Sequence, residues 1–290
     1  MSRIAYVNGR YLPQRDACVN VEDRGYQFGD GIYEVVHLHN GRFVDEDRHL
    51  ARLERSVGEI RLALPMPLSS LRQVLREVVR RNRITEGLVY MQVTRGVSRR
   101  DHAFPTTPVP PSLVVTARRM APYPASIDNW SADAITHPDL RWARRDIKSV
   151  NLLPNVLARQ AARDAGALEA ILHDPATGEV TEGASTTIWI VDETGAIRTR
   201  HLDQRILPGC TRGALLAELE AEGIAFEERG FTLEELGRAR EAFLTSATSF
   251  VKPILHLDGK PVGDGRPGPV TRRLFDIFSR HVRGGLRNAA

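Results

Sequence analysis

The sequence predicts a mixed α/β protein (α+β or α/β) of two domains, and three observations predict it. At 290 residues the chain is longer than the usual single domain. Short alternating apolar patterns interchange with helical periodicities along its length. Residues 120–125, Met-Ala-Pro-Tyr-Pro-Ala, have the composition of an interdomain linker. The expected boundaries are a small α/β domain at 1–119, the linker at 120–125 and a larger domain at 126–290.

Composition excludes several function classes. The formal charge of +4 arises from 40 basic and 36 acidic residues, and these alternate along the chain. No basic face for nucleic acid is expected from such a pattern. The N-terminus lacks the apolar core of a signal peptide, and no apolar run reaches membrane-spanning length. Cys18 and Cys210 have no metal-ligand spacing, which fits a reducing compartment. The expectation is a soluble cytoplasmic protein with no metal centre.

In the small domain, Ile4–Val7, a turn at Asn8-Gly9 and Arg10–Leu12 read as a hairpin. Gly25, Gly29 and Gly31 imply a tight loop, and no Lys-Ser/Thr follows to make it a phosphate loop. Ile32–Leu38 alternates as a strand with Tyr33, Val35 and His37 on one face. Leu50, Leu53, Val57, Ile60 and Leu64 set a helix over 47–61. Arg52 lies off that stripe, so periodicity alone makes it a solvated surface residue. Ser69–Arg81 is a second amphipathic helix, with Ser69 or Ser70 as its cap. Leu88–Thr94 and Ser112–Ala117 are strands around a basic, proline-rich loop at 95–111. Arg100 and His102 lie two apart within it, so extended backbone points both the same way, as a clamp on an anion requires. An ordinary solvated loop could carry the same pair.

In the larger domain Lys148 sits on the link between an extended segment and a helix. Asn151 is the candidate cap of that helix, Pro154 falls in its first turn, and 156–165 continue it. A lysine there can project into a cleft, as Schiff-base chemistry needs, although a solvated loop lysine is the ordinary alternative. Leu168–His173 is a strand, and Glu182 follows among small and hydroxyl residues, with a glycine beside it that admits a flat ligand. Thr187–Val191 and Ala196–Thr199 are strands. Gly209 and Thr211 open a helix running to about 222, and its N–H groups, hydroxyl and dipole make a phosphate cup. Capping alone would also explain Thr211. A short helix over Thr232–Ala239, a strand over Glu241–Leu244 and a hydroxyl-dense turn over Thr245–Ser249 come next. Ile254–Leu257 pairs across Asp258-Gly259, and Thr271–Val282 closes the chain as a helix.

A lysine at a strand–helix link, a carboxylate in a small-residue strand and hydroxyls at a helix N-terminus are the parts that pyridoxal 5'-phosphate requires. The stretches Asp23–Val36, Asp146–Leu153, Val180–Ser185 and Gly209–Arg212 closely resemble the class IV (fold type IV) aminotransferases, above all their D-amino acid branch. The motifs occur in order over essentially the whole chain. The resemblance implies a small α/β N-terminal domain and a larger domain with a β-barrel-like core. It implies amino transfer between a D-amino acid and a 2-oxo acid, as from D-alanine to 2-oxoglutarate. Lys148 then matches the Schiff-base lysine and proton shuttle, and Glu182 the partner of the pyridine nitrogen. Arg52 matches the phosphate-binding arginine, which reverses the reading from periodicity. Thr211 and Thr248, with backbone N–H groups around Cys210 and Ala247, match the remaining phosphate contacts. Leu207 would lie against the ring face, and Arg141 near the phenolic oxygen. Tyr33, Arg100 and His102 match the trio that binds the substrate α-carboxylate. Family members are homodimers, which implies that the Arg100 and His102 loop reaches the partner's site.

Two positions depart from the family pattern. Thr187 stands where asparagine is usual, so a hydroxyl or water is expected to replace the amide; Cys210 stands where an aliphatic residue is usual. Branched-chain aminotransferases, aminodeoxychorismate lyase and (R)-amine transaminases share the cofactor apparatus and differ at the carboxylate clamp. Arg100-x-His102 after Tyr33-Glu34-Val35-Val36 favours the D-amino acid branch. A non-catalytic cofactor-binding homologue is the reading of another class. Lys148, Glu182 and Arg52 together weigh against it, because binding alone would tolerate loss of the lysine.

Overall fold

In the computed structural model, which describes residues 3–284, the N-terminal hairpin forms as β1 (Ile4–Val7) and β2 (Arg10–Pro13). Its turn needs two left-handed residues, and Asn8 and Gly9 supply them at φ 44° and 91°. The glycine-rich loop contains a short helix, α1 (Arg24–Phe28), which glycine spacing alone did not suggest. Asp23 caps it by accepting the Gly25 N–H at 2.8 Å, and Gly29 ends it at φ 68°. After β3 (Gly31–His39) and β4 (Arg42–Phe43) come helices α2 (Glu46–Glu59) and α3 (Leu68–Asn82), then β5 (Gly87–Thr94) and β6 (Ser112–Arg119). The six strands make an antiparallel sheet in the order β2-β1-β6-β5-β3-β4.

Ile32, Val36 and Leu38 of β3 bury against Leu50, Leu53 and Val57 of α2 and Leu71, Leu75 and Val78 of α3. Each such side chain contributes about 1.5–3 kcal/mol, more than the ~1 kcal/mol of a cap. That explains why neither helix has a side-chain cap: α2 starts from Asp45 at φ 53°, and α3 from Pro67. The serines expected to cap α3 lie inside it, because the helix begins one residue before Ser69.

Two compact units emerge. The first runs through Tyr123 and also takes Ile147–Asn151; the second comprises Pro124–Asp146 and Leu152 onward. The short segment around Lys148, which the sequence puts in the larger domain, joins the first unit for a backbone reason. β4 pairs only with Leu38 and His39, leaving the other end of the β3 edge open. Ser149 bridges Ile32 there; the Tyr33 N–H donates to the Lys148 carbonyl at 3.0 Å and the Val150 N–H to the Gly31 carbonyl at 3.1 Å.

The second unit follows in chain order as β7 (Ala132–Pro138), α4 (Leu153–Asp164), β8 (Glu169–His173), β9 (Val180–Gly183), β10 (Thr187–Val191) and β11 (Ile197–Thr199). It continues with α5 (Cys210–Ala221), β12 (Phe226–Glu228), α6 (Leu233–Arg238), β13 (Glu241–Ser246), β14 (Phe250–Leu257), β15 (Lys260–Pro261) and α7 (Pro269–Val282). Its mixed sheet has the order β12-β11-β10-β13-β14-β7-β8-β9, with β15 on β14, and curls into a half-barrel. Ile171, Val180, Ile188, Ile190, Leu244 and Ile254 form one face of its core with Phe231. Asn151 does not cap α4: Leu152 holds that position without a side-chain bond, and the Asn151 amide reaches the Gly29 carbonyl at 3.4 Å within the first unit. Among the described residues no helix is long and apolar enough to cross a membrane.

Candidate active site

Lys148 is half-buried on the segment that extends the β3 edge. Its Nζ donates to the Tyr33 hydroxyl at 3.3 Å and stands 4.3 Å from the centre of that ring. Tyr33 is itself stacked on Tyr90 of β5 at 5.7 Å, and the Tyr90 hydroxyl donates to Gln92 Oε1 at 2.7 Å. Burial, helped by Tyr33, raises the Tyr90 phenol to about 12. The lysine amine therefore rests on Tyr33, which is backed by Tyr90 on the adjacent strand.

The inward face of β3 contains one charged residue, Glu34, which is fully buried between Ile32 and Val36. Arg52 on α2 answers it with Nε donating to Oε1 at 2.7 Å and Nη2 to Oε2 at 2.9 Å, while His49 Nδ1 lies 2.8 Å from Oε2. Burial alone would raise the Glu34 carboxyl, but the charge of Arg52 and the bonds from His49 and Arg52 hold it at about 2. Arg52 is 8% exposed, so the surface reading from periodicity is wrong. The buried stripe of α2 includes His49, Arg52 and Ser56, polar residues that a count of apolar positions leaves out. The strand parity of Glu34 was the available signal, since a buried carboxylate needs a cation. Losing one partner of such a pair costs roughly 3–5 kcal/mol.

Arg100 and His102 are exposed and come together on one ring. The Arg100 guanidinium carbon lies 4.9 Å from the centre of Phe28, and the His102 ring lies 5.5 Å from it. Arg24, absent from the sequence reading, shapes this loop by donating from Nη1 to the Asp101 carbonyl at 2.6 Å. Asp30 in turn holds the Nε of both Arg24 and Arg95, at 2.8 and 2.7 Å.

In the second unit Glu182 on β9 is buried. Its Oε1 accepts from Arg141, and its Oε2 from the Leu207 N–H at 3.2 Å. Burial outweighs the charge and hydrogen bond of Arg141, so the Glu182 carboxyl is raised. Asp139, which the sequence reading passed over, takes Arg141 on two sides: Nε donates to Oδ1 at 2.9 Å and Nη2 to Oδ2 at 2.7 Å. Thr181 donates its hydroxyl to the same Oδ2 at 2.6 Å. The Arg141 guanidinium is thus engaged with the carboxylate expected to meet a pyridine nitrogen.

α5 begins at Cys210, and Gly209, its N-cap, has no side chain to take up the first N–H groups. Cys210 and Thr211 are buried there. Thr187 packs on this start: a Cβ on Gly209 would come within 2.8 Å of its Oγ1, so the position admits only glycine without a shift. In the turn after β13, Ser246 Oγ accepts the N–H groups of Thr248 and Ser249 at 3.3 and 3.1 Å, with Ala247 between them.

The sequence pattern of the family described as amino-transferase class IV matches residues 31–257. The chain is 42% identical over 278 residues to the D-alanine aminotransferase of Staphylococcus haemolyticus, covering 96% of this chain and 97% of that protein. Among solved structures, the branched-chain aminotransferase of Thermoproteus uzoniensis with norvaline superposes with a TM-score of 0.84 at 26% identity, covering 99% of this chain and 97% of that one. The PLP-bound form of a hypothetical aminotransferase from Mycobacterium tuberculosis shares the fold, with a TM-score of 0.83 at 20% identity over 97% of this chain and 99% of that one.

Proposed function

We propose a residue-level mechanism on one premise: the chain belongs to the class IV aminotransferases and is a pyridoxal-phosphate-dependent enzyme that transaminates D-amino acids. The residues suit that cofactor. Lys148 offers an amine, Glu182 a buried carboxylate, and the uncapped start of α5 offers N–H groups for a phosphate. Once bound, pyridoxal phosphate supplies an electron sink that makes the substrate Cα–H acidic.

Lys148 would be the covalent anchor; once the substrate's amine has taken its place, the freed Nζ would take the Cα proton and later give it up again. The observation that carries this reading is the pairing of that Nζ with the Tyr33 hydroxyl at 3.3 Å. A phenol orients the amine without locking it in an ion pair. Glu182 would keep the ring nitrogen protonated, and Arg141, paired with Glu182, would act on the same nitrogen through that carboxylate. Arg52, fixed by Glu34, would contribute positive charge to the phosphate, and Thr211, Thr248 and the backbone around Cys210 and Ala247 would donate to it. Leu207 would lie against the ring face. Tyr33, Arg100 and His102 bind the substrate carboxylate, and D-alanine with 2-oxoglutarate is the substrate pair.

The protein works as a cytoplasmic homodimer in this reading. Val21 and Tyr26, each 75% exposed, offer apolar surface that a second copy would cover.

A charge-assisted contact to a carboxylate contributes about 1.5–3 kcal/mol, or roughly ten- to a hundredfold in affinity. Arg100→Ala is therefore expected to raise KM for D-alanine by that factor. Activity on (R)-1-phenylethylamine, which has no carboxylate, should stay level or rise. Measuring kcat/KM for both substrates checks this, and an equal loss on both would assign the loop to assembly instead.

A further inference from the structure

We propose that Asp139 is a positioning residue that takes up the charge of Arg141 and so leaves the Glu182 carboxylate to hold a proton on the cofactor's ring nitrogen. The inference rests on the role of Glu182 proposed above. Its basis is the asymmetry of the buried cluster. Asp139 engages Arg141 through both Nε and Nη2 and also accepts the Arg141 backbone N–H at 3.1 Å. Glu182 meets Arg141 only through Nη1, and its other oxygen takes the Leu207 N–H. The side chains of Asp139, Arg141 and Glu182 are 1%, 8% and 6% exposed, so these charges act with little solvent screening.

The charge balance of the cluster points the same way. Arg145 Nε stands 3.4 Å from Asp139 Oδ2, giving two carboxylates and two guanidinium groups. Arg205, further out, is held by Asp203 and Glu179. The cluster is neutral before the ring nitrogen gains its proton. Without Asp139 it already carries one positive charge, and Arg141 has only Glu182 to neutralise it. A second cation on the ring nitrogen then becomes unfavourable. The carboxyl directions agree. Burial would raise Asp139, but the hydrogen bond and charge of Arg141 bring it below its ordinary value. Burial of Glu182 outweighs the same arginine, and its carboxyl is raised.

The test uses the holoenzyme carrying cofactor isotope-labelled at the ring nitrogen, read by NMR beside steady-state kinetics. In the wild type the label should report a protonated nitrogen. Asp139→Asn keeps the shape, removes the charge and leaves one acceptor oxygen for either the Oδ1 or the Oδ2 set of bonds. It should move the label toward the unprotonated position and lower kcat by about ten- to a hundredfold, the range of one charge-assisted contact. KM for D-alanine should stay near its wild-type value. Combining Asp139→Asn with Arg141→Met removes both charges and should return the label toward the protonated position. This double variant also carries the test if the single one fails to fold. Glu182→Gln is the reference. If it moves the label while Asp139→Asn does not, the Asp139 assignment is overturned and the role of Glu182 stands. If Glu182→Gln leaves the label protonated, the role of Glu182 itself fails.

Discussion

Lys148→Ala is expected to abolish steady-state transamination while leaving a folded protein. Proton transfer by a positioned side chain supplies up to about 10⁴-fold in rate, and the covalent role of the amine disappears with it. The loss should therefore reach or exceed roughly that factor. Folding should survive, because the segment is held by backbone bonds to Gly31 and Tyr33 and by burial of Ile147. Tyr33 also keeps its stack on Tyr90. Some cofactor should remain bound through the phosphate contacts. Turnover of D-alanine at a rate comparable with wild type would remove Lys148 from the chemistry.

Glu182→Gln should lower kcat by about a hundredfold or more, with a smaller effect on cofactor affinity. A charged hydrogen bond contributes up to ~3 kcal/mol, and a neutral partner lets the ring nitrogen lose its proton. Glutamine keeps the shape of Glu182 but has one acceptor oxygen, so it can take the bond from Arg141 or the one from the Leu207 N–H, not both. The change is therefore one of charge and of one hydrogen bond more than of packing. The check is kcat at saturating cofactor; an unchanged value would take Glu182 out of the mechanism.

Much of this was readable in the residues, and the gaps have a common cause. Strands and helices with a clean period, such as Ile32–Leu38 and Ser69–Arg81, form close to where their periods put them, because apolar burial fixes them. Caps were less legible: Asn151 and Ser69 have the right chemistry, yet Gly29 draws the asparagine side chain away and Pro67 starts α3 early. Motifs named Lys148, Glu182 and Arg52. What surrounds them was hidden, since ion pairs join residues remote in sequence. Glu34 meets Arg52 eighteen positions later, and Arg141 reaches Glu182 across forty-one. Asp139 lies only two residues from Arg141, but nothing in a lone aspartate before an arginine indicates that a third group will compete for the charge. The attachment of the Lys148 segment to the β3 edge depends on how short β4 is, a property of tertiary pairing alone.

The central claim is that Lys148 and its surroundings process D-amino acids with pyridoxal phosphate. One absorbance titration of the purified holoenzyme tests it most directly. Adding D-alanine without any 2-oxo acid should bleach the cofactor's visible band in a single half-reaction, and a 2-oxo acid added afterwards should restore it. L-alanine at the same concentration should leave the band unchanged. A band that responds to L-alanine as strongly as to D-alanine, or to neither, would contradict the account.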